Sequence, residues 1–124
     1  MQPEAQFKSA LRRSFKRQYP TGLWTHIVKG PGMIAGMPDL LVGSAGVVGG
    51  WHIYLEAKIG TLQVRPTQAK TFTRMAQANI PIIVVAKFDH GALRAYRWRT
   101  PADEAQLYPH YLDPNFWQHL LRLH

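Results

Sequence analysis

The chain has 124 residues, 46% of them apolar, and carries fifteen Lys and Arg against seven Asp and Glu, for a net charge of +8. Its length fits one domain over residues 1–124, its apolar content excludes a disordered tail, and no stretch nears the roughly 20 apolar residues of a membrane span. The lack of cysteine excludes disulfides, thiolate metal sites and cysteine nucleophiles, while the charge points to a polyanionic partner or to a protein kept soluble by its charge.

Residues 3–18 predict a helix. Phe7, Leu11 and Phe15 recur every fourth residue, and Lys8, Arg12, Arg13, Lys16 and Arg17 fill most of the remainder, a basic amphipathic pattern. Such a charged start is unlike a signal peptide, so a cytoplasmic protein is expected. Helical spacing also puts Glu4 on the face of Phe7, Leu11 and Phe15; an acid in a first turn equally serves the helix dipole. A short strand follows over Leu23 to Val28, then a glycine-rich loop that ends at Gly36-Met37-Pro38-Asp39.

Leu40 to Val42 reads as a strand, and "GSAGVVGG" as the turn of a hairpin. In "WHIYLEAK" the strand period places Trp51, Ile53, Leu55 and Ala57 on one face, expected to be core, and His52, Tyr54, Glu56 and Lys58 on the other. Pro66 opens a second helix with Ala69, Phe72, Met75 and Ala76 inward, Lys70 and Arg74 exposed, and Asn79 as its stop. "IPIIVVA" (80–86) is a continuous apolar run, as in a strand buried on both faces. A turn at Asp89 to Gly91 leads into a strand holding Arg94, Tyr96 and Trp98, whose cationic residues suit a sheet edge. Thr100-Pro101-Ala102-Asp103 and Asp113-Pro114 are helix starts, the second preceding the closing "NFWQHLLRLH".

The residues with chemistry to offer are Asp39, Glu56 and Lys58. If their strands pair, the two carboxylates stand side by side, an oxygen donor set of the kind Mg²⁺ takes while keeping positions open for water and phosphate. Lys58 lies roughly 7 Å beyond Glu56 on the same face. Phosphodiester hydrolysis needs a metal and a cation near the charge that gathers on phosphorus. Taken in isolation, Glu-x-Lys is common and more often describes a solvated ion pair on an exposed sheet face.

Gly36-Met37-Pro38-Asp39, Glu56-Ala57-Lys58 at the end of an apolar strand, Gln68 at the start of a helix and "NIPIIVV" together resemble the PD-(D/E)xK nuclease superfamily. More narrowly, they resemble the stand-alone virus-type replication-repair nucleases (VRR-NUC), relatives of Holliday-junction resolvases. The resemblance spans residues 3 to about 86, the motif-bearing core, and leaves 87–124 outside it. It implies an α/β fold with a restriction-endonuclease-like core, a mixed central β-sheet flanked by helices. The implied activity is Mg²⁺- or Mn²⁺-dependent endonucleolytic hydrolysis of branched DNA in repair or recombination, by a homodimer of phage or bacterial source. By similarity Asp39, Glu56 and the Ala57 carbonyl bind the metal, Glu4 is the first-helix acid that adds to them, Lys58 is the catalytic lysine, and Gln68 contacts the metal shell or DNA. The alternatives are a nicking or restriction-type nuclease on ordinary duplex, and a non-catalytic DNA-binding module.

Lys8, Arg12, Arg13, Lys16, Arg17 and Lys29 are candidate phosphate contacts, each of which is also an ordinary surface charge. Tyr96 and Trp98 among arginines fit base stacking or simple packing. His26 and His52 read as structural.

Overall fold

A computed structural model describes residues 2–46, 49–99, 104–108 and 115–122. Helix α1 (Pro3–Gln18) is followed by strands β1 (Leu23–His26), β2 (Leu40–Ser44) and β3 (Trp51–Ile59), helix α2 (Pro66–Gln77) and strand β4 (Ile82–Lys87). A 3₁₀ turn (Asp89–Gly91), strands β5 (Leu93–Arg97) and β6 (Gln106–Tyr108) and helix α3 (Phe116–Arg122) complete the described elements. The strands form one six-stranded sheet in chain order from β1 to β6. Every neighbouring pair is antiparallel except β3 and β4, which run parallel and are joined through α2, the crossover that a parallel pair requires. The fold is therefore mixed α/β, a mixed sheet with helices on both faces.

The strand period divides the core. Ile53, Leu55 and Ala57 of β3, with Leu40, Val42, Ile83 and Val85, meet Phe7, Leu11 and Phe15 of α1 and Phe116, Trp117 and Leu120 of α3. The two helices are tied by an edge-on contact between Phe15 and Trp117 at 5.4 Å and by a hydrogen bond from Trp117 Nε1 to Ser14 Oγ at 2.8 Å. On the opposite face Phe72 and Met75 of α2 cover Ile82, Val84 and Tyr96. Residues 82–86 are buried throughout, as the unbroken apolar run predicts. Asn79 ends α2 with φ of 62°, a left-handed geometry that asparagine tolerates better than most residues.

Several expectations are corrected. Strand β1 stops at His26, and Val28 is 73% exposed. Strand β5 is internal, because β6 pairs with it along Leu93–Tyr108 to Ala95–Gln106; its arginines therefore do not mark a sheet edge. Trp51 and Ala69 are only half-buried, and Gln68 takes the inward position at the start of α2. The helix starts expected at Thr100 and Asp113 lie outside the described residues, though the closing helix is present as α3.

Candidate active site

Asp39 stands one step before the β2–β3 pair Leu40–Leu55, and so beside Glu56. Alternation sends Leu40 and Leu55 to the α1 face and turns Glu56 toward α2, where Gln68 meets it, while Asp39 stands at the sheet's end just before the first residue of β2. Their pairing is reciprocal. The Asp39 backbone N–H donates to Glu56 Oε1 at 3.1 Å, and the Ala57 N–H donates to Asp39 Oδ2 at 3.3 Å. Both acids are largely shielded from water, at 9% and 2% exposure. The Ile27 N–H, donating to the Asp39 carbonyl at 2.9 Å, fixes the strand entry that Pro38 begins.

Gln68 organises the next layer. Its Nε2 donates to Glu56 Oε2 at 2.9 Å, while its Oε1 accepts from Lys58 Nζ at 2.9 Å and from the Arg65 N–H at 3.2 Å. Lys58 also pairs with Glu56 Oε2 at 3.2 Å. One amide thus caps the first turn of α2 and holds both the acid and the lysine. The contacts account for the burial of a polar side chain at that position, since an unpaired buried amide is costly.

Two further lysines reach Asp39. Lys29, from the loop after β1, contacts Oδ1 at 2.9 Å, and Lys8 of α1 contacts Oδ2 at 3.4 Å. Lys8 also pairs with Glu4 at 3.2 Å. Glu4 is exposed, because α1 keeps its first residues, 3 to 6, clear of the core; it lines the same open cleft of about 770 Å³ as Lys29, Asp39, Glu56, Ala57, Lys58 and Gln68. Arg12 borders a neighbouring recess of about 450 Å³ together with Glu4, Lys8 and His26. Arg13 and Arg17 are exposed on α1, and Lys16 donates to the Gly22 carbonyl. His52 is exposed on β3 and lies outside the cleft lining.

Charge is distributed unequally over the acid pair. Burial alone would raise the Asp39 carboxyl, but the Lys29 hydrogen bond, the Lys8 and Lys29 charges and the Ala57 N–H outweigh it and hold it below the usual carboxylate range. Burial pushes Glu56 above that range, and the neighbouring Asp39 charge adds to the rise against Gln68 and Lys58. Burial pulls the Lys8 ammonium down, and Asp39 and Glu4 outweigh it to raise its pKa.

The resemblance implies Mg²⁺ or Mn²⁺, and the donors suit it. Two adjacent carboxylates line the cleft beside Ala57, and Glu56 is kept from easy ionisation first by burial and then by the Asp39 charge, a penalty and a repulsion that a divalent cation relieves. Among the described residues no three His, Cys, Asp or Glu side chains gather as a metal-ligand group. The protein donors are therefore few, which Mg²⁺ accepts because it retains water ligands.

No protein-family model matches the sequence, and no curated protein matches it. Among solved structures the chain is similar to Hjc, a Holliday junction resolvase from Archaeoglobus fulgidus, an archaeal hyperthermophile. The TM-score is 0.49 at 12% identity, over 73% of this chain and 77% of that one. No helix among the described residues is long and apolar enough to cross a membrane.

Sequence reasoning placed Lys8 and Lys29 among phosphate contacts and missed their hold on Asp39. The helical spacing of Glu4 and Lys8 signals their mutual pairing, but the approach to Asp39 depends on how α1 lies over β2. Tyr96 is 4% exposed and donates its hydroxyl to the Leu62 carbonyl at 3.0 Å, with burial pushing its pKa to about 12. It therefore anchors the segment bordering the cleft and is not open to base stacking. Trp98 packs edge-on to Phe72 at 5.4 Å.

Proposed function

We propose that residues 1–124 form one divalent-metal-dependent DNA endonuclease domain of the PD-(D/E)xK type, allied to the virus-type replication-repair nucleases (VRR-NUC). The observation that carries the reading is the meeting of Asp39 and Glu56 at the mouth of a cleft, with Lys58 fixed beside them by Gln68. Asp39, Glu56 and the Ala57 carbonyl would hold Mg²⁺ or Mn²⁺; Glu4, which lines the cleft but pairs with Lys8 and does not gather with the two acids, would act through the ion's retained water ligands. When bound, such an ion supplies Lewis acidity at a phosphate oxygen and lowers the pKa of a water.

The chain's own residues do the rest. Hydrolysis adds water across a P–O bond, leaving a phosphate monoester and a hydroxyl, and negative charge builds on the phosphoryl oxygens. Lys58 presents a cation to that charge, and Gln68 Oε1 fixes its direction so that little reorganisation is needed during reaction. Lys29, paired with Asp39 from the flank of the cleft, and the exposed Arg12 and Arg13, with Lys16, contact phosphates of the bound strand. Lys8 contributes from the cleft wall. The preferred substrate is branched DNA, on the strength of the motif resemblance, and two cuts at a junction suit a twofold homodimer.

The test compares the protein with its Asp39→Ala variant on a labelled four-way junction, linear duplex and supercoiled plasmid, in Mg²⁺ and in chelator. Metal-dependent cutting of the junction, lost in the variant, is expected. Equal cutting of all three substrates would replace junction preference with a nicking or restriction-type activity on duplex. Binding without metal-dependent cutting would leave only a DNA-binding module.

A further inference from the structure

The loop between β1 and Asp39 carries three large apolar side chains in open solvent: Val28 at 73%, Met33 at 53% and Ile34 at 69% exposure. Leu23, Ile59 and Leu107 are also exposed but stand apart on three different strands, so among the described residues this loop alone groups such side chains, on a chain of net charge +8. The loop is also held at several points. Gly30, Pro31, Gly32 and Met33 form a tight turn, closed by a hydrogen bond from the Met33 N–H to the Gly30 carbonyl at 3.0 Å, with Gly32 at φ of 83°, where proline and glycine are the favoured central pair.

Beyond the turn, Thr71 Oγ1 of α2 donates to the Ala35 carbonyl at 2.6 Å. Gly36, at φ of 80°, lies so close to α2 that an added Cβ would stand 2.5 Å from the Thr67 carbonyl oxygen. Lys29, on the near side of the turn, reaches Asp39. Met33 and Ile34 are therefore mounted on a turn fastened to α2 on one side and tied by Lys29 to the site on the other.

We propose that Met33 and Ile34 form an apolar wedge that enters the base stack at a DNA branch point beside the scissile phosphate. The inference rests on the nuclease reading and deepens it by supplying the basis of substrate choice. Apolar wedges enter DNA at the cost of unstacking a base step, a few kcal/mol in an intact duplex. A branch point already exposes base faces, so the wedge binds there without most of that cost. The charge favours DNA as the occupant: the chain carries a net +8, and Asp39 and Glu56, which balance Lys29 and Lys58 at the cleft, are the acids a divalent cation would neutralise.

The test uses a Met33→Ser/Ile34→Ser double variant, whose changes fall on exposed side chains, with its fold checked by circular dichroism. Each protein is bound, with Ca²⁺ replacing Mg²⁺, to a four-way junction bearing 2-aminopurine at the branch. Cleavage is then measured in Mg²⁺, and the oligomeric state by sedimentation. The wild type is expected to raise the 2-aminopurine fluorescence. The variant is expected to lose that rise and about tenfold or more in junction affinity and cleavage, with duplex affinity unchanged.

A variant that matches the wild type in fluorescence and junction cleavage overturns the wedge and leaves the nuclease reading intact. A variant that turns a dimer into a monomer assigns the loop to a second copy of the chain and likewise overturns it. A wild type that neither binds nor cuts any of the DNAs overturns the nuclease reading and the wedge together.

Discussion

Asp39 and Glu56 hold each other's strands: the Asp39 N–H donates to a Glu56 oxygen at 3.1 Å, and an Asp39 oxygen accepts from the N–H next to Glu56 at 3.3 Å. The exchange fixes both carboxylates against the sheet while leaving them at a cleft. It also sets their charges at odds, since Lys8 and Lys29 favour ionised Asp39 while burial and Asp39 disfavour ionised Glu56.

Isosteric neutralisation should therefore cost more at Asp39 than at Glu56. In chelator near pH 8, Asp39→Asn forfeits the Lys29 and Lys8 pairs and is expected to lower stability by about 1–2 kcal/mol, or several degrees in Tm. Glu56→Gln removes a charge that burial and Asp39 oppose but turns one of two accepting oxygens into a donor facing the Asp39 N–H or Gln68 and Lys58, so a smaller loss of Tm than in Asp39→Asn is expected. Thermal melts of both variants check this, and a lower Tm for Glu56→Gln than for Asp39→Asn would count against the assignment.

The same asymmetry gives a pH dependence with a definite sign. Glu56 has a raised folded-state pKa, so its ionised form opposes folding at neutral pH, and that penalty is relieved as pH falls through the raised value. Asp39 has a lowered one, so its stabilisation is present above the ordinary aspartate range and is lost only as pH falls through the lowered value. For these two groups, the metal-free protein is most stable between the two, in mild acid. Over the upper part of that window Mn²⁺ affinity should rise with pH as Glu56 gives up its proton. Urea denaturation in chelator and Mn²⁺ titrations across pH supply both curves.

On the proposed function, a divalent cation at Asp39 would compete with Lys29, which pairs with it. Lys29→Met is expected to tighten Mn²⁺ binding several-fold while weakening DNA binding and reducing the salt slope by about one. Calorimetric titration and salt-dependent anisotropy read the two effects separately. Weaker Mn²⁺ binding in the variant would make Lys29 a support of the site and not its competitor.

Gln68 connects the fold to the chemistry. Gln68→Ala should cost about 1 kcal/mol of stability through the lost cap and slow cleavage by roughly 10- to 100-fold through the freed Lys58. Lys58→Met should slow it by about 100- to 1,000-fold with little loss of DNA affinity. Single-turnover rates beside binding isotherms make the separation. A Gln68→Ala enzyme that cuts at the wild-type rate would confine Gln68 to capping.

The elements that position the site are those whose periodicity the sequence displays most clearly. The four-residue recurrence of Phe7, Leu11 and Phe15, the alternation in Trp51–Lys58 and the unbroken 80–86 run each report a helix or strand facing a core. Asp39 and Glu56 are legible because a hairpin requires their strands to pair. Strand β6, only Gln106 to Tyr108, is too short to show a period, and without it β5 reads as an edge. Glu4 shares the periodicity of Phe7, yet periodicity cannot tell that the first turn of α1 stays clear of the core. The grip of Lys8 and Lys29 on Asp39 is set by packing between distant segments, which no local pattern encodes.

The central claim is that the Asp39–Glu56 pair enables metal-dependent strand cleavage. Its most direct test is the single-turnover cleavage rate of a labelled four-way junction against Mg²⁺ concentration, for the wild type and Glu56→Gln. A rate that rises and saturates with Mg²⁺ in the wild type and stays at background in the variant is the predicted result. A wild type that fails to cut at any Mg²⁺ concentration, or a variant that cuts as fast, would contradict it.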